Sequence, residues 1–181
     1  MNFLDVHKNC LEAIRQNYCN FHFYCERDFV WTVQKYIQNY IGDNRLPYKV
    51  FNDFPIESGE KRSKSVDIAV IANNFNDKDI LIGKAQAEFV IEFKFEPSKM
   101  RKDDICVHKL PVVEWSGVLI DIDRIHRFVE NRKAKCGVAI LIDEFGRHKT
   151  SQHILENSTW IDWGKCNSEQ LNVSVLYTEV K

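Results

Sequence analysis

The segment that most constrains the fold is a nearly unbroken apolar run at 136–142, with the sequence CGVAILI. A strand with one exposed face alternates apolar and polar residues, so this run predicts a strand that is buried on both faces. The residues at 115–129 carry an apolar stripe at helical spacing and predict a helix immediately before it. A helix followed by a buried strand implies a crossover packed against a sheet, which places the chain in the α/β class.

The other elements predict a mixed central β-sheet flanked by helices. Apolar residues at helical spacing predict two helices before the first strand, at 3–18 and 26–41. Stretches rich in β-branched or aromatic residues, or alternating in polarity, predict further strands. These strands are 48–54, 64–72, 88–95 and 171–177, and a short helix is predicted at 151–157.

Composition predicts one domain that spans residues 1–181. Hydrophobic residues make up 44% and charged residues 28%, which are ordinary values for a globular chain. With 7 glycines and 4 prolines, no interdomain linker is evident. The formal net charge of −1 excludes a globally basic nucleic-acid binder, so any contact with nucleic acid must be local.

The sequence also predicts a cytoplasmic protein without a membrane partner. No apolar run approaches the ~20 residues needed to cross a bilayer, and the first residues lack the pattern of a signal peptide. The 6 cysteines are too few and too scattered for a disulfide scaffold, which predicts free thiols.

Charged residues interrupt the second and third predicted strands at related positions. Because side chains alternate along a strand, Asp67 lies on one face of its strand, and Glu92 and Lys94 share one face of the next. Asp67, Glu92 and Lys94 can therefore meet on one side of the sheet. Glu26, in the second helix, projects into the middle of that helix's apolar stripe, where an isolated carboxylate is costly.

This order of elements and charges resembles the PD-(D/E)xK nuclease superfamily, the restriction-endonuclease-like fold. The motifs that carry the resemblance are Glu26 in a helix, 66–68 in one strand and 90–94 in the next, and the resemblance covers roughly 26–143. The position before the motif aspartate is Val66 rather than proline, a departure that the superfamily tolerates. The resemblance implies an αβββαβ core, here with an extra helix at the N-terminus.

The resemblance implies a phosphodiester-hydrolysing site that depends on Mg²⁺ or Mn²⁺. Asp67, Glu92 and the main-chain carbonyl of Phe93 would be the metal ligands, which suits cations that prefer oxygen donors. Lys94 would orient or deprotonate the attacking water or stabilise charge in the transition state, and Glu26 would be a supporting carboxylate. The predicted function is a metal-dependent nuclease whose expected substrate is DNA, with RNA as the alternative.

Simpler interpretations stay open at this stage. Glu-x-Lys recurs at 179–181 in the terminal tail, so Glu92 and Lys94 could form an ordinary ion pair on a strand. A nuclease-like module that binds nucleic acid or protein without catalysis is the main alternative. A zinc site is a third, although no second ligand pair at zinc-site spacing completes it; its candidate ligands are His7, Cys10, Cys19, His22 and Cys25.

Positive charge is expected at the rim of the predicted site, where it would favour phosphate. Polar residues in the helix after Glu-x-Lys, Asp121, Asp123 and Arg124, are candidates for further contacts that no motif assigns. Nucleic acid is the expected partner, and a homodimer or a place in a larger assembly stays open. The basic residues form two clusters, Lys61, Arg62 and Lys64 before the aspartate strand, and Lys99, Arg101 and Lys102 after Lys94.

Overall fold

The fold is known from a computed structural model. It describes residues 2–21, 23–57, 64–76, 78–79, 85–98, 112–144, 146–150, 155–165 and 172–181. In these residues the chain forms a mixed α/β structure with one six-stranded sheet. The helices are α1 (Phe3–Asn17), α2 (Glu26–Asp43), α3 (Trp115–Glu130) and α4 (Arg147–Thr150), with a 3₁₀ turn at Tyr18–Asn20. The strands are β1 (Tyr48–Glu57), β2 (Lys64–Ala72), β3 (Ala87–Glu96), β4 (Gly137–Asp143), β5 (Ser158–Lys165) and β6 (Asn172–Val180).

The sheet has the strand order β1-β2-β3-β4-β6-β5. Strands β3 and β4 are parallel and joined through α3, and every other neighbouring pair is antiparallel. The segment that predicted a buried strand is β4, and all of its residues are buried. The expected mixed sheet with helices on its faces is therefore confirmed in the described residues.

The two faces of the sheet have separate cores. Helices α1 and α2 pack on one face, against residues that include Ile68, Val70, Ile91 and Phe93. Helix α3 packs on the opposite face, against residues that include Ala69 and Val90. Polar residues of β2 and β3 that lie where the pairing of these two strands ends can therefore be contacted by helices from both layers.

Gly137 permits the close approach of α3 to the sheet. A Cβ atom at this position would lie 2.6 Å from Cγ2 of Val90 and 2.9 Å from Cγ2 of Ile125, both closer than real side chains pack. Ile125 lies in α3 and Val90 in β3, so the glycine lets the helix settle directly over the strand. This packing brings the polar residues of α3 within reach of β3.

The structure differs from the prediction in three elements near the C-terminus. Strand β5 was not predicted, because it lies at the edge of the sheet, contains Gly164 and has no buried residue among those whose burial is described. The helix predicted at 151–157 falls partly outside the described residues, and 155–157 are not helical. The described helix α4, at Arg147–Thr150, was not predicted, and Asp143 accepts the amide of His148 in its first turn.

The prediction that all cysteines are free thiols is wrong at one position. Cys10, Cys25 and Cys136 are free, but Cys19 in the 3₁₀ turn is disulfide-bonded. Spacing along the chain does not reveal which cysteines meet in space, so the sequence could not predict this bond. None of the helices in the described part of the chain has the length and apolarity that a membrane span requires.

Candidate active site

The candidate site lies where β2 and β3 stop pairing as regular strands. Their paired residues run from Ile71↔Ala87 to Ile68↔Ile91. At the next position, the amide of Asp67 donates to Oε2 of Glu92 at 3.0 Å, and the amide of Phe93 donates to Oδ2 of Asp67 at 2.7 Å. The two carboxylates thus take over the role of main-chain acceptors and lie between the two strands.

Lys94 links the two helical layers at this point. Its Nζ lies 2.7 Å from Oδ2 of Asp121 in α3 and 3.5 Å from Oε2 of Glu26 in α2. It also donates to the main-chain carbonyl of Phe93 at 3.3 Å. Lys94 therefore contacts one predicted metal-ligand atom and two carboxylates from helices on opposite faces of the sheet.

Glu26 is the first residue of α2 and is half-buried rather than enclosed in the apolar stripe. A carboxylate in the first turn is favoured by the helix dipole, so this position alone needs no functional explanation. The contact with Lys94 is the additional observation, since it joins Glu26 to the other charged residues.

Arg124 and Asp121 of α3 complete the group. Nη1 of Arg124 contacts Oε1 of Glu92 and lies 3.3 Å from Oδ1 of Asp121. Asp121 is buried, on the same helical face as Val118 and Ile125. The signal in the sequence was a carboxylate on the apolar stripe of that helix, which points toward the sheet.

Asp123, named with these two in the sequence analysis, is not part of the group. Its side chain is exposed and forms an ion pair with Arg127 at 3.1 Å. We call the remaining six residues the site cluster. It consists of Glu26, Asp67, Glu92, Lys94, Asp121 and Arg124.

The site cluster has an excess of acidic groups, and the pKa values reflect it. Burial raises the pKa of Glu92 to about 8, with a further increase from the charge of Asp67 that Arg124 partly offsets. Burial likewise raises the pKa of Glu26 to about 7 against the opposing charge of Lys94. The pKa of Asp67 is also raised by burial, although the amide of Phe93 works in the opposite direction. Two side-chain cations do not compensate four carboxylates.

Lys94 is a cation in this arrangement. Burial on its own would lower its pKa, because it disfavours the ammonium form. The hydrogen bond and charge of Asp121, with the charges of Glu26 and Glu92, outweigh burial and raise the pKa above its ordinary value.

The donors of the predicted metal site fit a hard divalent cation in kind. Asp67, Glu92 and the carbonyl of Phe93 offer oxygen atoms, and a bound cation would stabilise the ionised form of the two carboxylates, whose pKa values burial raises. In the part of the chain that the structure describes, no three or more His, Cys, Asp or Glu side chains are grouped as metal ligands. The cations next to the expected ligands are Lys94 and Arg124.

The second Glu-x-Lys motif shows what the same spacing produces without a site. Nζ of Lys181 lies 2.5 Å from Glu179, which also pairs with Lys8 at 2.8 Å. The ammonium-bearing side chains of Lys8 and Lys181 are half or more exposed, and these hydrogen bonds lower the pKa of Glu179. Glu92 and Lys94 have the same spacing, but their surroundings raise the pKa of Glu92, whereas the surroundings of Glu179 lower its pKa.

The other candidate residues are less informative. Lys64 pairs with Glu57 at 3.1 Å, and the remaining members of the two basic clusters, Lys61, Arg62, Lys99, Arg101 and Lys102, lie outside the described residues. Of the zinc-ligand types, His7 is buried, and burial lowers its pKa to about 3. Burial raises the pKa of the Cys10 thiol to about 12, so both residues are uncharged in the core.

No protein-family model, curated protein or solved structure matches this chain. The function is therefore argued from the residues of the site cluster and their surroundings.

Proposed function

We propose that this chain is a metal-dependent nuclease of the PD-(D/E)xK type, which hydrolyses phosphodiester bonds of DNA, with RNA as the alternative substrate. The observation that carries the proposal is the convergence of Asp67, Glu92 and Lys94 where β2 and β3 separate, with Glu26 reaching Lys94 from the opposite helical layer. A Glu-x-Lys motif that arose by chance would not be expected to have an aspartate and a second glutamate beside it.

The proposal includes a restriction-endonuclease-like core. The order α2, β1, β2, β3, α3, β4 supports it, because the expected core has the same αβββαβ order. The parallel pairing of β3 with β4 through α3 is a second supporting feature, since it places the strand that carries Glu92 and Lys94 in the middle of the sheet. Helix α1 would then be the addition at the N-terminus.

Asp67, Glu92 and the carbonyl of Phe93 would hold Mg²⁺ or Mn²⁺. When bound there, such a cation supplies Lewis-acid stabilisation of the phosphoryl group and lowers the pKa of a bound water. Lys94 would orient the attacking water or stabilise the charge that develops on the phosphoryl oxygens, since its ammonium lies beside the carbonyl of Phe93. Glu26 would hold Lys94 in place from α2.

One observation favours a second candidate, a nuclease-like module that binds nucleic acid or protein without catalysis. Arg124 contacts Glu92 and Lys94 contacts Asp121, so side chains of the protein itself already pair with two of the carboxylates. In such a module, these ion pairs would neutralise the carboxylates in place of a metal, and catalysis would be absent.

Cleavage assays distinguish the two. We expect wild-type protein to cleave plasmid or single-stranded DNA with Mg²⁺ or Mn²⁺, and Asp67→Asn and Lys94→Met to be slower by about 10³-fold, as for the loss of preorganised charge stabilisation. Lys181→Met, in the second Glu-x-Lys motif, is the matched control and should cleave normally. A parallel assay with RNA measures the preference for DNA.

Equal cleavage by all four proteins would assign the activity to something other than this site. Absence of cleavage by wild-type protein with either metal would favour the non-catalytic module.

A further inference from the structure

Arg124 occupies a position that the roles above leave unexplained. It lies in α3, outside the predicted motif, and about a quarter of its side chain is exposed. Its Nη1 contacts Glu92 at one side and lies 3.3 Å from Asp121 at the other. A guanidinium between two largely buried carboxylates is a structural feature in its own right, because an ionised Glu92 would otherwise be a poorly compensated charge.

Arg124 contacts the oxygen of Glu92 that accepts no main-chain amide in the described contacts. Oε2 of Glu92 accepts the amide of Asp67, and that bond holds the carboxylate between the strands. Arg124 contacts the other oxygen, Oε1. A cation bound by Glu92 through its remaining oxygen therefore competes with the guanidinium for the same atom.

Arg124 keeps a second anchor if it leaves Glu92. Its other carboxylate partner, Asp121, is three residues earlier in the same helix, so this contact does not depend on the position of β3. The guanidinium would remain beside the site with donors facing outward. Planar guanidinium groups bind the paired oxygens of a phosphodiester well, and better than an ammonium of the same charge.

We propose that Arg124 is a built-in counter-cation of the metal site: it competes with a divalent cation for Oε1 of Glu92 and, once displaced, binds the phosphodiester of the substrate. This inference rests on the proposed nuclease function and assigns to α3 a role in substrate binding. It implies that, in the protein without metal, Arg124 occupies the oxygen of Glu92 that the metal would bind. Metal uptake and substrate binding are thereby coupled through one side chain.

The coupling has a signature that a purely structural role lacks. Removal of the guanidinium should strengthen metal binding, because a competing cation is gone, and weaken DNA binding, because a phosphate ligand is gone. We expect Arg124→Met to bind Ca²⁺ roughly tenfold more tightly than wild type and a DNA duplex roughly tenfold more weakly, the range set by one charge-assisted hydrogen bond. Arg124→Gln, which keeps the polarity but not the charge, should shift both affinities in the same directions.

The measurements are titration calorimetry with Ca²⁺ alone and fluorescence anisotropy of a labelled DNA duplex in saturating Ca²⁺. Both are made at pH 8.5, where protons compete least for the carboxylates. Arg127→Met is the matched control, because Arg127 lies one turn away and pairs with exposed Asp123. It should leave Ca²⁺ affinity unchanged and affect DNA binding less than Arg124→Met does. Melting temperatures establish that each variant is folded, and Arg124→Gln decides the question if Arg124→Met does not fold.

Unchanged or weaker Ca²⁺ binding by a folded Arg124 variant overturns the inference, as does unchanged DNA affinity. These outcomes leave the proposed function intact if wild-type protein binds Ca²⁺ and Asp67→Asn does not. If wild-type protein binds no divalent cation, the nuclease proposal and this inference fail together.

Discussion

Two groups of acidic residues lie along β3, one around its middle and one where β3 and β4 end, and they differ in how their charges are compensated. The site cluster lies around Glu92 in the middle of β3. The other group, which we call the capping cluster, lies at the carboxyl ends of the two strands, about 13 Å farther along at ~3.3 Å per residue. It consists of Glu96, Asp143, Glu144, Arg147 and His148.

Every carboxylate of the capping cluster accepts hydrogen bonds from fixed donors. Asp143 accepts the amides of Gly146 at 2.7 Å and His148 at 2.9 Å. Glu144 accepts the hydroxyl of Tyr18 at 2.6 Å and the amide of Ser98 at 2.9 Å.

Two side chains of α4 contact the third carboxylate of the capping cluster, that of Glu96. His148 lies 2.6 Å from it through Nε2, and Arg147 lies 3.0 Å from it. These contacts join α4 to the ends of β3 and β4.

The comparison teaches that burial of acidic residues does not by itself indicate a functional site. In the capping cluster, main-chain and side-chain donors surround each carboxylate, as is usual for buried polar groups that stabilise a fold. In the site cluster, carboxylates outnumber the cations, and burial raises the pKa values of Glu26, Asp67 and Glu92. Ionisation of these carboxylates costs stability, and a bound cation would offset that cost.

The largest effect on stability is expected in the capping cluster. Asp143→Ala leaves the amides of Gly146 and His148 without their acceptor, which should lower the free energy of unfolding by about 3 kcal/mol. Urea denaturation measures the change. Asp143→Asn keeps one acceptor oxygen and should lose less, and a stable alanine variant would show that these bonds do not hold the cluster together.

A change of the opposite sign is expected at Glu92. Its pKa in the folded protein, about 8, is above the unfolded value, so its favourable contribution is present at low pH and is lost as pH rises from about 4.5 through 8. Glu92→Gln imitates the protonated form and should raise the free energy of unfolding by about 2 kcal/mol at pH 8.5, with little change at pH 5.

Urea denaturation of both proteins at the two pH values tests this prediction. A destabilised Glu92→Gln protein at pH 8.5 would mean that the ion pair with Arg124 outweighs the cost of burial, and the contrast between the clusters would then be lost.

The smallest effect is expected for the cation of the site cluster. Lys94→Met removes the partner of Asp121 and Glu26 and should lower the free energy of unfolding by about 1 kcal/mol at pH 8, since protonation of the carboxylates limits the loss. Lys181→Met is the control at the same motif spacing and should be indistinguishable from wild type. Equal effects of the two variants in thermal and urea denaturation would remove the distinction between the two Glu-x-Lys motifs.

Residues whose place depends on local periodicity were predictable from the sequence. The strand predicted at 64–72 coincides with β2, and Asp67 and Glu92, which alternation predicted on one side of the sheet, each accept an amide from the other's strand. This works because side-chain direction in a strand follows from position alone. The apolar run that became β4 was predictable for a related reason, since a strand covered on both sides contains few polar residues.

Features that depend on packing between distant segments were not predictable. Arg124 reaches Glu92 only because Gly137 lets α3 lie close to the sheet, and no spacing in the sequence encodes that approach. The capping cluster was missed because its donors are mostly main-chain amides, which carry no residue-type signal. Strand β5 was missed because an exposed edge strand has little apolar pattern.

The central claim is that a divalent cation binds between β2 and β3. Its most direct test is equilibrium binding of Mn²⁺ at pH 8, followed by the electron paramagnetic resonance signal of free Mn²⁺. Wild-type protein should bind one Mn²⁺ per chain, Asp67→Asn should lose this binding, and Asp143→Asn, which changes a buried aspartate of the capping cluster, should keep it. Binding that is absent from wild-type protein, or equal in the wild type and Asp67→Asn, would contradict the account.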